Sequence, residues 1–126
     1  MGLLDTHTFM WWDGDRSKLS PAALAFIQDP TNTIMLSVVS VLEILIKVQL
    51  GKLRVNAPLA TIVAQQQANG IHVLPVSLNH VLTLDRLPAV HKDPFDRLLV
   101  AQAMVEGAVL VSTDTLFSSY PVTVFW

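Results

Sequence analysis

Short apolar runs alternate with helical segments along this chain, and this alternation restricts its fold more than any other sequence feature. The runs are short, apolar and often β-branched, which is typical of buried strands. Predicted strands cover residues 3–4, 33–37, 71–74, 108–111 and 122–126. Predicted helices cover residues 21–28, 38–50, 58–69, 77–84 and 93–106. Because such alternation forms βαβ units, we predict an α/β fold: one domain over residues 1–126, with a central, mostly parallel sheet of about five short strands flanked by helices.

The composition excludes several classes of protein. Apolar residues make up 52% of the chain and charged residues 14%, which argues against a disordered chain. The net charge is −2 and the isoelectric point is about 6.0, so binding to nucleic acid requires a local site. The chain has no cysteine, which excludes thiol nucleophiles and zinc sites built from cysteine. A surface with so few charges predicts an obligate partner or a homo-oligomer.

The sequence shows no targeting segment. Its first residues, MGLLD, lack the basic region and the apolar run of a secretion signal. The longest apolar stretch, residues 34–50, contains Ser37, Glu43 and Lys47, and it is too short and too polar to span a membrane. We therefore expect a cytoplasmic protein without membrane association.

Two predicted strands are followed by an aspartate. Asp5 follows the strand at residues 3–4, and Asp114 follows the strand at residues 108–111. Each aspartate could simply cap the helix after it. Ligands of open α/β sheets, however, bind beyond the carboxyl ends of the strands, so both carboxylates are candidates for a functional site.

A third carboxylate, Glu43, lies in a helix that is apolar nearly all round, which predicts a buried helix. Ser40, Glu43 and Lys47 share one face of it, at spacings of three and four residues. An exposed ion pair between Glu43 and Lys47 is one interpretation. The other is a functional site, because a buried carboxylate is costly unless it is paired or bound to a metal ion.

The segment HKDPFDRLLVAQA contributes two further acids. Asp93 is the natural N-cap of the helix that begins at Pro94, and Asp96 is three residues after the cap. This spacing predicts a capping box with Asp in place of the usual Glu. Capping explains Asp93 better than Asp96, because aspartate is short for closing the box.

Taken together, Asp5, Glu43, Asp96 and Asp114 are predicted to meet at one edge of the sheet. Clustered carboxylates repel one another and raise each other's pKa, unless a cation compensates their charge. Oxygen ligands without cysteine favour Mg²⁺ or Mn²⁺. Such ions activate water and stabilise in-line displacement at phosphorus, so the pattern indicates phosphodiester hydrolysis.

Four segments resemble the motifs of one known family: LLDTHTFMWW, SVVSVLEILIKVQLGKL, HKDPFDRLLVAQA and VLVSTDTLFSSY. They occur in the same order as in that family, and the resemblance covers essentially the whole chain. The chain resembles a PIN domain, specifically the VapC-type ribonuclease toxins of toxin–antitoxin pairs. The resemblance implies a parallel five-stranded sheet and metal-dependent cleavage of RNA, often tRNA or rRNA. It also implies a homodimer and a cognate antitoxin that inhibits the enzyme.

Carried over by position, the resemblance assigns catalysis and metal binding to Asp5, Glu43, Asp96 and Asp114. Ser112 fills the place of a family serine or threonine and could support the site, as could Asp93 beside the third acid. The position before the last acid is often basic in the family, but here it is Thr113.

Basic residues near these segments could contact RNA phosphates, although a solvated surface explains each of them equally simply. They are Lys47, Lys52, Arg54, Lys92 and Arg97. The histidines show no metal-ligand spacing, although His7, two residues after Asp5, could line the site.

Other functions remain to be weighed. A phosphoaspartate phosphatase needs an Asp-x-Asp pair after its first strand, and the run Asp5-Thr6-His7 lacks it. A receiver domain needs a lysine after a late strand, and no lysine follows Arg97. The alternative that stays open is a catalytically inactive PIN-like module that acts only through protein partners.

Overall fold

Five short strands form one sheet at the centre of the structure, a computed structural model that describes residues 1–126. The strands are β1 (Gly2–Leu4), β2 (Ile34–Ser37), β3 (His72–Leu74), β4 (Val109–Val111) and β5 (Val124–Phe125). Their order across the sheet is β3-β2-β1-β4-β5, and every neighbouring pair is parallel. The predicted α/β fold is therefore confirmed.

Six helices connect the strands. They are α1 (Thr6–Gly14), α2 (Pro21–Gln28), α3 (Val38–Gln49), α4 (Leu59–Ala68), α5 (Leu78–Thr83) and α6 (Pro94–Glu106). Helix α2 has the predicted bounds, whereas α1 is absent from the prediction, although Asp5 was considered as a helix cap. None of these helices combines the length and the apolar composition required to cross a lipid bilayer.

The core has two halves, one on each face of the sheet. Leu3 of β1 and Leu110 of β4 belong to one apolar cluster, whereas their neighbours Leu4 and Val111 belong to the other. Successive strand residues point to opposite faces, so burial of both faces requires continuous apolar runs. This requirement is the physical basis of the runs that predicted the strands.

The prediction that helix α3 is buried all round is wrong. Its buried residues lie on one stripe that faces the sheet and the neighbouring helices. The opposite face is open, and Val38, Leu42 and Leu45 are 41%, 48% and 41% exposed. The stripe that points inward contains Ser40 and Glu43, so the polar residues of this helix are buried while several apolar ones are not.

Leu99→Ala is expected to lower the free energy of unfolding by about 3 kcal/mol, because it leaves a cavity at a fully buried position. Leu99 lies on α6, one turn after Asp96. Urea denaturation measures the change. Leu50→Ala is the control, because Leu50 is 63% exposed and its truncation should change stability by less than about 0.5 kcal/mol. Equal effects of the two substitutions would contradict the assignment of Leu99 to the core.

Candidate active site

A polar cavity of about 170 Å³ lies where β1 and β4 end and where α6 begins. The acids that the sequence singled out come from four separate parts of the chain, and the structure brings all of them to this cavity. The lining residues are Asp5, Thr6, His7, Glu43, Lys47, Asp93, Asp96, Thr113, Asp114 and Phe117. Only Phe117 among them is apolar, so the cavity suits a charged or strongly hydrated ligand.

Asp5 is both a helix cap and a wall of the cavity. Its Oδ1 accepts a hydrogen bond from the backbone N–H of Thr8 at 2.8 Å, which caps α1. Its Oδ2 accepts a hydrogen bond from the Ser112 hydroxyl. The carboxylate is buried, at 7% exposure, so both of its oxygens are held in place by the surrounding chain.

Asp114 is linked to Asp5 through Ser112. The Ser112 Oγ accepts a hydrogen bond from the Asp114 backbone N–H at 3.0 Å while its own proton goes to Asp5. The Asp114 Oδ1 accepts from the Leu116 N–H at 2.9 Å, which caps a 3₁₀ turn (Thr115–Ser119). Capping is therefore confirmed for Asp114, and it coexists with a place in the cavity.

Glu43 is buried and paired. Its Oε1 accepts a hydrogen bond from the Thr6 hydroxyl at 2.7 Å, and its Oε2 lies 2.6 Å from the Lys47 Nζ. The hydrogen bond to Glu43 raises the pKa of Lys47. The Glu43–Lys47 pair weighed from the sequence thus forms at the cavity, with the Glu43 side chain buried and the Lys47 side chain 41% exposed.

Asp93 and Asp96 occupy the start of α6 in different ways. Asp93 caps the helix, with its Oδ1 accepting from the Phe95 N–H at 2.8 Å. The predicted capping box is wrong, because Asp96 makes no reciprocal hydrogen bond to the cap and lines the cavity instead. Burial, followed by the negative charge of Asp93, raises the pKa of Asp96 to about 6. Glu43 and Asp114 add to this effect, whereas His91 opposes it.

His91 is a site residue that the sequence reading missed. Its ring nitrogen and the carboxylate oxygens of Asp96 and Asp114 lie within 4.8 Å of one another, close enough to share a metal ion. The spacing of the histidines in the sequence gives no sign of this proximity. The residue lies in an irregular segment before α6, where no periodicity indicates the direction of a side chain. His7, which the sequence allowed as a lining residue, does line the cavity.

The family of this chain follows from its match to a known protein family. The model of the PIN domain matches residues 2–122. The chain belongs to the PIN domain family.

Individual relatives agree with this assignment. This chain is 28% identical to Ribonuclease VapC22 of Mycobacterium tuberculosis over an alignment of 128 residues, which covers 98% of this chain and 97% of that protein. Its structure resembles VapBC2 from Rickettsia felis bound to a promoter DNA fragment, with a TM-score of 0.73, 14% identity, and coverage of 98% and 96%. It also resembles DNA-bound VapBC from Salmonella typhimurium, with a TM-score of 0.68, 15% identity and the same coverage. At these identities, the structural likeness shows a shared fold.

The basic residues of this PIN domain differ in their distance from the acids. Lys47 is the one basic residue that lines the acidic cavity. Arg97 donates hydrogen bonds to the carbonyls of Pro88 and Leu84, at 2.8 and 3.4 Å, and thereby fixes the segment before α6. Arg54 lines a separate cavity, and Lys52 and Lys92 are exposed. Contact of these five residues with RNA stays a prediction.

The donor set of the cavity fits a divalent cation. Five carboxylates line it, while only one ammonium group does, so negative charge is in excess. Burial and, after it, the neighbouring negative charges raise the pKa of Asp96. Hard oxygen donors of this kind bind Mg²⁺ and Mn²⁺ in proteins.

Proposed function

We propose that this PIN domain is a metal-dependent endoribonuclease that hydrolyses phosphodiester bonds in RNA. The observation that carries the proposal is the convergence of Asp5, Glu43, Asp96 and Asp114 on one cavity. The similarity to Ribonuclease VapC22 supports RNA as the substrate. In keeping with the family resemblance, the proposed targets are tRNA or rRNA.

The proposed cofactor is Mg²⁺ or Mn²⁺, held by these four acids. When bound, the ion supplies Lewis-acid activation of water and stabilisation of negative charge at the phosphate. The chain itself supplies preorganisation. Ser112 and the Thr8 N–H hold Asp5, while Thr6 and Lys47 hold Glu43, so the positions of these carboxylates are fixed by the chain itself.

Asp96 has a different part in this scheme. Its raised pKa of about 6 leaves it partly protonated in mildly acidic solution. Loading of the site with a cation therefore releases the proton from the Asp96 carboxyl group. Asp93, fixed by its cap bond, lies beside Asp96 as a supporting charge and is not among the proposed ligands.

The proposed partners are a cognate antitoxin and a second copy of the chain, in the cytoplasm. A toxin–antitoxin complex from Klebsiella pneumoniae resembles this chain with a TM-score of 0.64 and 15% identity, which makes an antitoxin the first partner to test. The open apolar face of α3, which includes Val38, Leu42 and Leu45, provides surface for such contacts.

Cleavage of a labelled RNA is expected to require Mg²⁺ or Mn²⁺ and to stop when EDTA is added. Asp5→Asn is expected to reduce the rate by about 10³-fold, since loss of several kcal/mol of charge stabilisation has this effect. Asparagine keeps an oxygen that can cap α1, so the fold should survive. Gel analysis of the products measures the rate.

Asp85→Asn is the matched control, because Asp85 is exposed and lies outside the cavity. It should cleave at the wild-type rate. Cleavage that persists in EDTA, or in the Asp5→Asn variant, contradicts the proposed site. Absence of cleavage in wild type with both ions and with tRNA and rRNA would favour the inactive interaction module.

A further inference from the structure

A chain of hydrogen bonds runs from Tyr120 through His91 to Asp114. The His91 backbone N–H donates to the Tyr120 hydroxyl oxygen at 2.8 Å, and the His91 Nδ1 lies 3.0 Å from the same oxygen. At the other side of the ring, Nε2 lies 2.8 Å from the Asp114 Oδ2. The His91 side chain is only 6% exposed, so water does not replace these partners.

These hydrogen bonds determine which nitrogen of the His91 ring carries the proton. The Tyr120 hydroxyl accepts from the His91 N–H, so its single proton is free for Nδ1. A neutral ring that accepts at Nδ1 carries its proton on Nε2. That proton points to the Asp114 carboxylate, which can only accept. A protonated ring also donates from Nε2, so the donation to Asp114 holds in both charge states.

Packing fixes the ring as firmly as hydrogen bonding does. The His91 ring stacks on Phe117 with centroids 4.7 Å apart, and on Tyr120 with centroids 5.5 Å apart. Asp114 benefits more from a rigid neighbour than Asp5 or Glu43 does, because its side chain is 37% exposed. Asp5 and Glu43, by contrast, are 7% and 5% exposed.

We propose that His91 is a positioning residue, which holds the Asp114 carboxylate for the cation through its Nε2–H and does not itself bind the ion. The inference rests on the proposed function, since it presumes that the cavity takes a cation. The proximity of His91, Asp96 and Asp114 also suits direct ligation. Ligation, however, needs the Nε2 lone pair, and the hydrogen bond to the Asp114 carboxylate, which can only accept, assigns a proton to that position.

Two substitutions separate positioning from ligation. His91→Phe keeps a flat ring but removes the donor, and it should weaken Mn²⁺ binding about 10- to 100-fold, as loss of a residue that orients a ligand does. His91→Gln keeps an N–H that can reach Asp114 but has no imidazole lone pair. It should restore the affinity to within about threefold of wild type. Calorimetric titration with Mn²⁺ measures the affinity, and circular dichroism checks the fold of each variant.

Nitrogen-15 NMR of the histidine side chains provides a readout that a merely structural role would not move. The His91 ring should show the Nε2–H tautomer without metal and should keep it when Mg²⁺ is added. Loss of the Nε2 proton on addition of Mg²⁺ would overturn the proposal, as would a Gln variant that binds Mn²⁺ as weakly as the Phe variant.

The titration also separates this inference from the proposed function. Wild-type protein that binds neither Mn²⁺ nor Mg²⁺ overturns both. Wild-type protein that binds Mn²⁺, with both His91 variants binding equally well, overturns the positioning role alone.

Discussion

Asp96→Asn is expected to abolish metal-stimulated RNA cleavage and, in the same protein, to raise the temperature of unfolding measured without divalent ions. Both effects have one cause. The Asp96 carboxylate is partly buried among other acids, and its pKa is raised to about 6, so its ionised form is unfavourable in the folded chain. Asparagine removes the charge and thereby removes both the repulsion and a proposed ligand.

The loss of cleavage and the gain in stability are expected to differ in size. Loss of a metal ligand should lower the cleavage rate by about 10³-fold or more. The stabilisation at pH 8 should be on the order of 1 kcal/mol once solvent screening of this partly exposed group is allowed for, or about 3–5 °C in the unfolding temperature. Differential scanning calorimetry in EDTA measures the latter.

Asp85→Asn serves again as the control, since it removes the same charge from an exposed position outside the cavity. It should leave both the cleavage rate and the unfolding temperature unchanged. A lower unfolding temperature for Asp96→Asn in EDTA would show that Asp96 stabilises the fold, and full cleavage would remove it from the proposed ligands.

Saturating Mg²⁺ is expected to stabilise the protein strongly at pH 8 and weakly at pH 5. At a concentration of about 100 times the dissociation constant, binding adds about 2.7 kcal/mol to the free energy of unfolding. At pH 5, Asp96 with its pKa of about 6 is mostly protonated, so a proton competes with the ion for this carboxyl group.

In the metal-free protein, the contribution of Asp96 to the free energy of unfolding should instead decrease as the pH rises. Its folded pKa is raised from 3.8 to about 6, so its contribution to stability is present below about pH 4 and is lost as the pH rises through 6. Thermal unfolding from pH 5 to 8, with and without Mg²⁺, measures both trends. Asp96→Asn should lose the pH dependence, and equal stabilisation by Mg²⁺ at pH 5 and pH 8 would contradict the assignment.

The fold could be predicted from the sequence because burial of both faces of a parallel sheet leaves a pattern. Uninterrupted apolar runs separated by capped helices admit few arrangements. The helix α1 was missed because apolar and polar residues are mixed around its circumference, so no clear stripe marks it. The burial of α3 was overestimated because its apolar residues continue onto a face that the fold leaves open.

The acids of the site were predictable to the extent that local structure places them. Asp5 and Asp114 follow strands, and parallel strands end at one edge of the sheet, so their meeting follows from topology. Glu43 was identified as a charge in a helix predicted to be buried all round; the helix has an open face, but Glu43 itself is buried. His91 was not identified, because its position depends on Tyr120, a partner 29 residues away that local patterns do not reveal.

Lys47 already supplies a positive charge to Glu43, the most buried of the four acids. The burial of Glu43 during folding therefore does not require a divalent ion to balance its charge. If the site takes a cation as proposed, ion loading can follow folding as a separate step. A cell could store such a protein in a folded, latent form and control its activation through the supply of ions at the time of use.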